Sequence, residues 1–184
     1  MTGFKRWLLG GLMLAGVVAA HAETLPTIGI IGAGRMGGTL ATLWSKAGYP
    51  VILSSRHPDQ LKAQVTELGG QASAASVQQA ADKANIVVLA VPYGALPSLA
   101  KSVGSELKGK VVLDVSNPYP GRDGNIAEQA LSKGVGLYSG GLFPGAKLVR
   151  GFNSIAAATL SSEAHRSGEK LAVPLAGDNP QALK

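Results

Sequence analysis

From residue 27 onward, short apolar runs alternate with longer stretches of mixed polarity. Residues 27–31, 51–54, 85–91, 111–115 and 147–151 read as strands. The run Ile86-Val87-Val88-Leu89-Ala90-Val91 has no polar alternation, which suits a parallel strand covered on both faces. Helices are expected over 36–47, 58–68, 76–83, 95–107, 125–131 and 155–160. Gly48 stands where a helix C-cap belongs, and Ser76 where an N-cap belongs. Weaker signals place a short strand at 71–73, a loop with a helical turn at 140–145 and a last strand at 171–176. Strand and helix in strict alternation predict an α/β fold with a doubly wound, mostly parallel sheet.

Two stretches fall outside this pattern. Residues 1–22 carry Lys5 and Arg6, then an apolar run from Trp7 to Ala20, then Ala20-His21-Ala22. That is the form of a secretory signal with cleavage before Glu23, and the apolar run is shorter than the ~20 residues of a spanning helix. No twin arginine is present, so general export to the periplasm or medium is expected, with no membrane span after cleavage. At the other end, Asn179-Pro180 reads as a helix start four residues before the chain stops. A short C-terminal end of this kind is expected to leave one face of the last strand exposed. The domain division is therefore a signal at 1–22 and one domain over 26–184.

Composition narrows the partners. The formal charge is +6, and removing Lys5 and Arg6 leaves +4. The remaining basic residues are scattered and not interleaved with aromatics, which argues against nucleic acid. With no cysteine, thiol catalysis and disulfides are excluded. No metal-ligand set and no acid–base dyad stands out.

The chemistry begins at the first strand. Ile28-Gly29-Ile30-Ile31 leads into Gly32-Ala33-Gly34-Arg35-Met36-Gly37, a G-x-G-x-x-G turn between strand and helix. In that context Gly32 serves the tight turn, Gly34 admits backbone to a pyrophosphate and Gly37 lets helix and strand pack closely. The helix N-terminus then offers N–H groups to phosphates. The second strand ends in Ser54-Ser55-Arg56-His57, where a site for the unphosphorylated dinucleotide carries an acid. Hydroxyls and a guanidinium suit a 2′-phosphate instead. Three further polar or turn segments close strands at the same edge: Val91-Pro92-Tyr93, Ser116-Asn117-Pro118 and Phe152-Asn153. Val91, Pro92, Asn117 and Asn153 are candidate cofactor contacts there, and Tyr93 is placed to flank the cofactor. Asp114, inside an apolar strand, reads as a satisfied structural acid.

Assembled, these segments resemble the small NADP-dependent oxidoreductases that use the deazaflavin coenzyme F-420, and the related NADPH-binding domain of membrane metalloreductases. The more specific segments are Asp114-Val115-Ser116-Asn117-Pro118-Tyr119-Pro120 and Leu142-Phe143-Pro144-Gly145-Ala146-Lys147-Leu148-Val149-Arg150-Gly151-Phe152-Asn153. The resemblance implies a Rossmann fold, NADP(H) with its 2′-phosphate on Ser55 and Arg56, and hydride transfer to or from a flat deazaflavin- or flavin-type acceptor. Such transfer needs no acid or base from the protein, since alignment of two rings does most of the work. A homodimer is the expected assembly. The alternative reading is an exported Rossmann protein that binds a nucleotide without turnover.

Overall fold

In the computed structural model, which describes residues 24–184, the chain runs β1 (Ile28–Ile31), α1 (Arg35–Lys46), β2 (Val51–Ser55), a 3-10 turn (Pro58–Leu61), α2 (Lys62–Leu68), β3 (Ala72–Ser76), α3 (Val77–Lys83) and β4 (Ile86–Leu89). A second 3-10 turn (Tyr93–Ala95) leads to α4 (Leu96–Val103), β5 (Val111–Asp114), α5 (Pro120–Asp123), α6 (Asn125–Lys133), α7 (Val135–Leu142), β6 (Lys147–Gly151), α8 (Ala157–Glu163) and β7 (Leu175–Gly177). The stretch read as a leader lies outside the described residues. The strands form one sheet, ordered β3-β2-β1-β4-β5-β6-β7. Every pair is parallel except β6–β7. This is the doubly wound Rossmann arrangement the alternating pattern predicts.

The central strands are apolar on both faces because helices cover both. Ile28, Ile30, Leu53 and Val88 pack with Leu40 and Ala41 of α1 and Leu160 of α8. Ile31, Val87, Leu89 and Val112 turn the other way, onto Leu96 and Val103 of α4, Leu107 and Phe143. Each buried Val, Leu, Ile or Phe among them contributes about 2 kcal/mol of transfer free energy. Ser76 caps α3 reciprocally with Gln79, each side chain bonded to the other residue's N–H.

Beyond shifts of a few residues at element ends, three elements and one residue differ from the sequence expectation, each for a physical reason. The third strand is Ala72–Ser76, longer than 71–73. Its alanines and serines carry little apolar signal, and pairing with β2 along its whole length makes it a strand. The segment around Gly136, Gly140 and Gly141 is part of a two-turn helix, α7. Each interior glycine costs about 1 kcal/mol in helix propensity. Tertiary packing outweighs that: Ser139 is fully buried, and Tyr138 and Leu142 pack on the core. The last strand begins only at Leu175, since Pro174 has no N–H to pair, and it runs antiparallel to β6. Leu175 is 49% exposed, in keeping with an edge covered on one side. Asn179 caps a single turn, accepting from the Gln181 and Ala182 amides.

Tyr93 is the fourth difference. It is fully buried and points away from the sheet's carboxyl edge, under α7. Its hydroxyl lies 2.9 Å from Ser139 Oγ and donates to the Val135 carbonyl at 3.1 Å. Burial, first of all, holds this phenol above its ordinary value. It anchors a helix and cannot flank a cofactor.

Candidate functional site

All the parallel strands end on the same edge, and the chain winds outward in opposite directions from β1 and β4. The crevice between those two strands is where open α/β sheets bind ligands. Gly32 opens it with φ +110°, a conformation reserved almost entirely for glycine. A side chain at Gly37 would place its first carbon 1.9 Å from the Gly32 carbonyl oxygen, so only glycine lets α1 start this close to the turn. Gly34 differs from both. Its φ of −73° is ordinary, and a methyl there would meet nothing within 4 Å. No protein contact demands glycine at that position. The open space faces the start of α1, which has no side-chain cap and no acid in its first turn. Its free N–H groups and partial positive charge are left for an anion.

A ridge formed by Ala90, Val91 and Pro92, at the end of β4, divides the crevice in two. On one side is a cleft of about 680 Å³, bounded by Gly32, Gly34, Ser55, Arg56 and Val77, with Ser98 and Ser102 of α4 opposite. On the other is a cleft of about 540 Å³, bounded by Arg35, Met36, Ser116, Asn117, Tyr119 and Phe152. No carboxylate lines either cleft. The two clefts flank the glycine turn, with the Arg56 guanidinium on the first side and those of Arg35 and Arg122 on the second.

Most of the residues singled out in the sequence come together here. Gly32, Ala33, Gly34, Ser55, Arg56, Val91 and Pro92 line the first cleft, while Arg35, Met36, Asn117 and again Val91 and Pro92 line the second. Gly37 lies buried beneath the turn. Ser55 Oγ accepts from the His57 N–H at 3.0 Å, which fixes the loop and leaves the hydroxyl proton free to donate outward.

Two residues stand elsewhere. Ser54 is fully buried, and its hydroxyl donates to the Ile30 carbonyl at 2.9 Å. It joins β2 to β1 from inside and takes no part in the cleft. Period-two geometry explains this: Ser55 faces the cleft, so Ser54 faces the core. Asn153 sits behind the second cleft, its amide donating to the carbonyls of Asp114 and Ser116. Asn117 donates to the Asn153 carbonyl at 2.7 Å, so the two asparagines chiefly bind the ends of β5 and β6 together. Phe152, between those ends, adopts φ +62°, uncommon for a residue with a side chain. Its ring packs edge-on against Trp44 of α1, 6.1 Å between centroids.

Several residues of the site escaped the sequence. Tyr119 and Arg122 line the second cleft, with the Arg122 guanidinium 4.9 Å from the centre of the Tyr119 ring. Asp123 holds that corner. Its carboxylate accepts from the Gly94 and Tyr119 amides, both at 3.0 Å, and from Arg122 Nε and Nη2 at 2.9 and 2.7 Å. The hydrogen-bonded Arg122 guanidinium, ahead of the two amides, holds the Asp123 carboxyl down to about 2, against 3.8 ordinarily. A carboxyl lowered by folding contributes stability that is complete above 3.8 and lost as pH falls through about 2. The melting temperatures of the wild type and Asp123→Ala should therefore converge across that interval. A gap that stays constant would mean that the carboxylate charge does not secure the corner. Arg150 is the other residue missed. A lone aspartate in β5 and a lone arginine in β6 hint at a pair without giving its register, and in the fold Arg150 Nη1 meets Asp114 Oδ2 at 2.6 Å.

A parallel sheet with its winding reversed at β1 and β4, and a glycine turn opening onto a bare helix end, defines a dinucleotide-binding Rossmann domain. Residues 27–118 match the family described as NADP oxidoreductase, coenzyme F420-dependent, and the chain belongs to that family. It is similar to metalloreductase STEAP3 of Rattus norvegicus, 29% identical over 170 residues, covering 91% of this chain and 32% of the relative. It is also similar to mitochondrial 3-hydroxyisobutyrate dehydrogenase of Mus musculus, 30% identical over 129 residues, covering 66% of this chain and 37% of the relative. The chain thus spans about a third of the length of these relatives. Among solved structures, a hypothetical protein from Sinorhizobium meliloti superposes with a TM-score of 0.73 at 30% identity, covering 88% of this chain and 78% of that one. A protein from Arthrobacter sp. FB24, described as an F420-dependent NADP-reductase, shares the fold with a TM-score of 0.66 at 23% identity, covering 86% and 76%. Among the described residues, no helix is long and apolar enough to cross a membrane.

Proposed function

We propose that this chain binds NADP(H) along the divided crevice and carries hydride between the nicotinamide and a flat deazaflavin- or flavin-type acceptor. The observation that carries the reading is Gly34. Its missing side chain answers to no protein neighbour and opens onto a bare helix end, a geometry that a pyrophosphate fits. In this reading the amides of the glycine turn hold the pyrophosphate. Ser55 and Arg56 take the 2′-phosphate, and the absence of carboxylates from the lining removes the repulsion that would favour the unphosphorylated form. Val91 and Pro92 lie under the middle of the dinucleotide. When bound, the nicotinamide supplies the redox chemistry. The protein's part is to hold the ring over Ser116, Asn117 and Phe152 and to leave its outer face open toward Tyr119 and Arg122 for the acceptor. No histidine or carboxylate lines the second cleft, and a transfer that depends on proximity and alignment needs none. Cleavage after Ala22, export and pairing of two copies belong to the same proposal.

The test is binding followed by turnover. The mature chain should bind NADPH more tightly than NADH, read by nicotinamide fluorescence, and should oxidise it with a deazaflavin, a flavin or a ferric chelate. Tight NADPH binding with no oxidation by any of these acceptors would favour the non-catalytic reading. Failure to bind either dinucleotide would overturn both.

A further inference from the structure

Asp114 and Arg150 stand opposite each other in the β5–β6 register, on the face of the sheet that α7 covers. Asp114 is fully buried, and the Arg150 side chain is 14% exposed. Each carboxylate oxygen of Asp114 accepts two bonds. Oδ1 takes the Ser116 amide at 2.9 Å and the Ser116 hydroxyl at 2.5 Å; Oδ2 takes Ser139 Oγ at 2.8 Å and Arg150 Nη1 at 2.6 Å. The second nitrogen of the guanidinium reaches past the aspartate. Arg150 Nη2 donates to the Ser116 carbonyl at 2.9 Å and lies 3.5 Å from Asn117 Oδ1. Asn153 Nδ2 donates to the same Ser116 carbonyl at 3.0 Å.

A buried ion pair is a poor way to gain stability, because desolvation cancels most of the attraction and an apolar pair of equal volume does as well. What this pair adds is direction. Apart from the Ser139 bond to α7, its bonds converge on Ser116 and Asn117, which with Val115 carry the end of β5 into the second cleft, while Asp114 and Arg150 themselves do not line that cleft.

We propose that Asp114 and Arg150 are positioning residues for the nicotinamide end of the dinucleotide. They lock the Ser116-Asn117 turn at the depth and angle that the ring requires, and they act through that turn without touching the cofactor. The inference rests on the NADP(H) reading of the crevice. It assigns the β5–β6 pair to one half of the crevice alone, since the bonds of Asp114 and Arg150 reach no residue of the Ser55–Arg56 side.

Two probes separate the halves: NADPH, and adenosine 2′,5′-bisphosphate, which carries the 2′-phosphate end without a nicotinamide. In Arg150→Met, NADPH affinity should fall about tenfold while bisphosphate affinity stays within about twofold of the wild type. The enhancement of nicotinamide fluorescence on binding should shrink in step. Arg150→Lys keeps the charge beside Asp114 but lacks the forked reach to Ser116, so it should lose about threefold for NADPH alone. If Arg150→Met does not fold, as judged by circular dichroism, Arg150→Lys decides by the same ratio. Parallel loss of both probes would show a purely structural pair and overturn the proposal, as would no loss of either. A wild-type chain that binds neither probe overturns the dinucleotide reading itself, an outcome distinct from both.

Discussion

Replacing Arg56 with alanine should weaken NADPH binding about 10- to 100-fold and leave NADH binding within about twofold. The magnitude follows from the chemistry of the contact: a charge-assisted hydrogen bond is worth about 1.5–3 kcal/mol, and about 1.4 kcal/mol is a decade in affinity. Arg56 is exposed at the end of β2, beside a serine whose hydroxyl proton is free. NADH has no phosphate at that position for either to hold. Isothermal titration of the wild type and the variant with both dinucleotides measures the difference directly. Equal losses for NADPH and NADH would remove Arg56 from the 2′-phosphate and assign it to a general phosphate contact.

Two glycines three residues apart should behave in opposite ways. Gly37→Ala forces a methyl carbon to within 1.9 Å of the Gly32 carbonyl oxygen and 3.2 Å of the Ala90 side chain. Overpacking of that kind costs about 3 kcal/mol, or about 10 °C in melting temperature for a chain of this size. Gly34→Ala meets no protein atom within 4 Å and keeps an ordinary φ, so its melting temperature should match the wild type. Its methyl occupies the path of the pyrophosphate, and NADPH affinity should fall by about 1–3 kcal/mol, or about 10- to 100-fold. The pair of variants thus divides one motif into a folding glycine and a binding glycine. An unchanged NADPH affinity in Gly34→Ala would place the phosphates elsewhere and withdraw the observation on which the proposed function rests.

The contrast between these glycines marks how far the sequence could be read. The spacing of the turn, its place after an apolar strand and the acid-free end of β2 were visible as patterns of residue type. So were β1, β2, β4 and β5, whose apolar runs admit few other readings in a chain of alternating elements, and β6, where only Leu148-Val149 is apolar, fitted the same alternation. The direction of individual side chains was not. Ser54 and Ser55 are identical in composition and adjacent in sequence, and only the pleat decides which one faces the core. Tyr93 follows a strand end and a proline, as a cofactor-flanking residue would, yet the 3-10 turn rotates it under α7. Helix α7 itself was hidden because its glycines argue against a helix, and the contacts that override them come from Asp114 and Tyr93, far away in the chain. Arg150 was hidden for a related reason. Its partner is across the sheet, and register is a property of the folded strands that residue spacing alone does not supply.

The ridge of Ala90, Val91 and Pro92 has a consequence for inheritance. One side of it is built from residues between Ile31 and Ser102, the other largely from residues between Val115 and Ala157. The family match ends at Pro118, shortly after the chain crosses from the first side to the second. In the proposed reading the first side sets the choice of coenzyme and the second meets the redox partner, so substitutions inherited in the later segment would change what is reduced and leave the coenzyme preference of the earlier one in place.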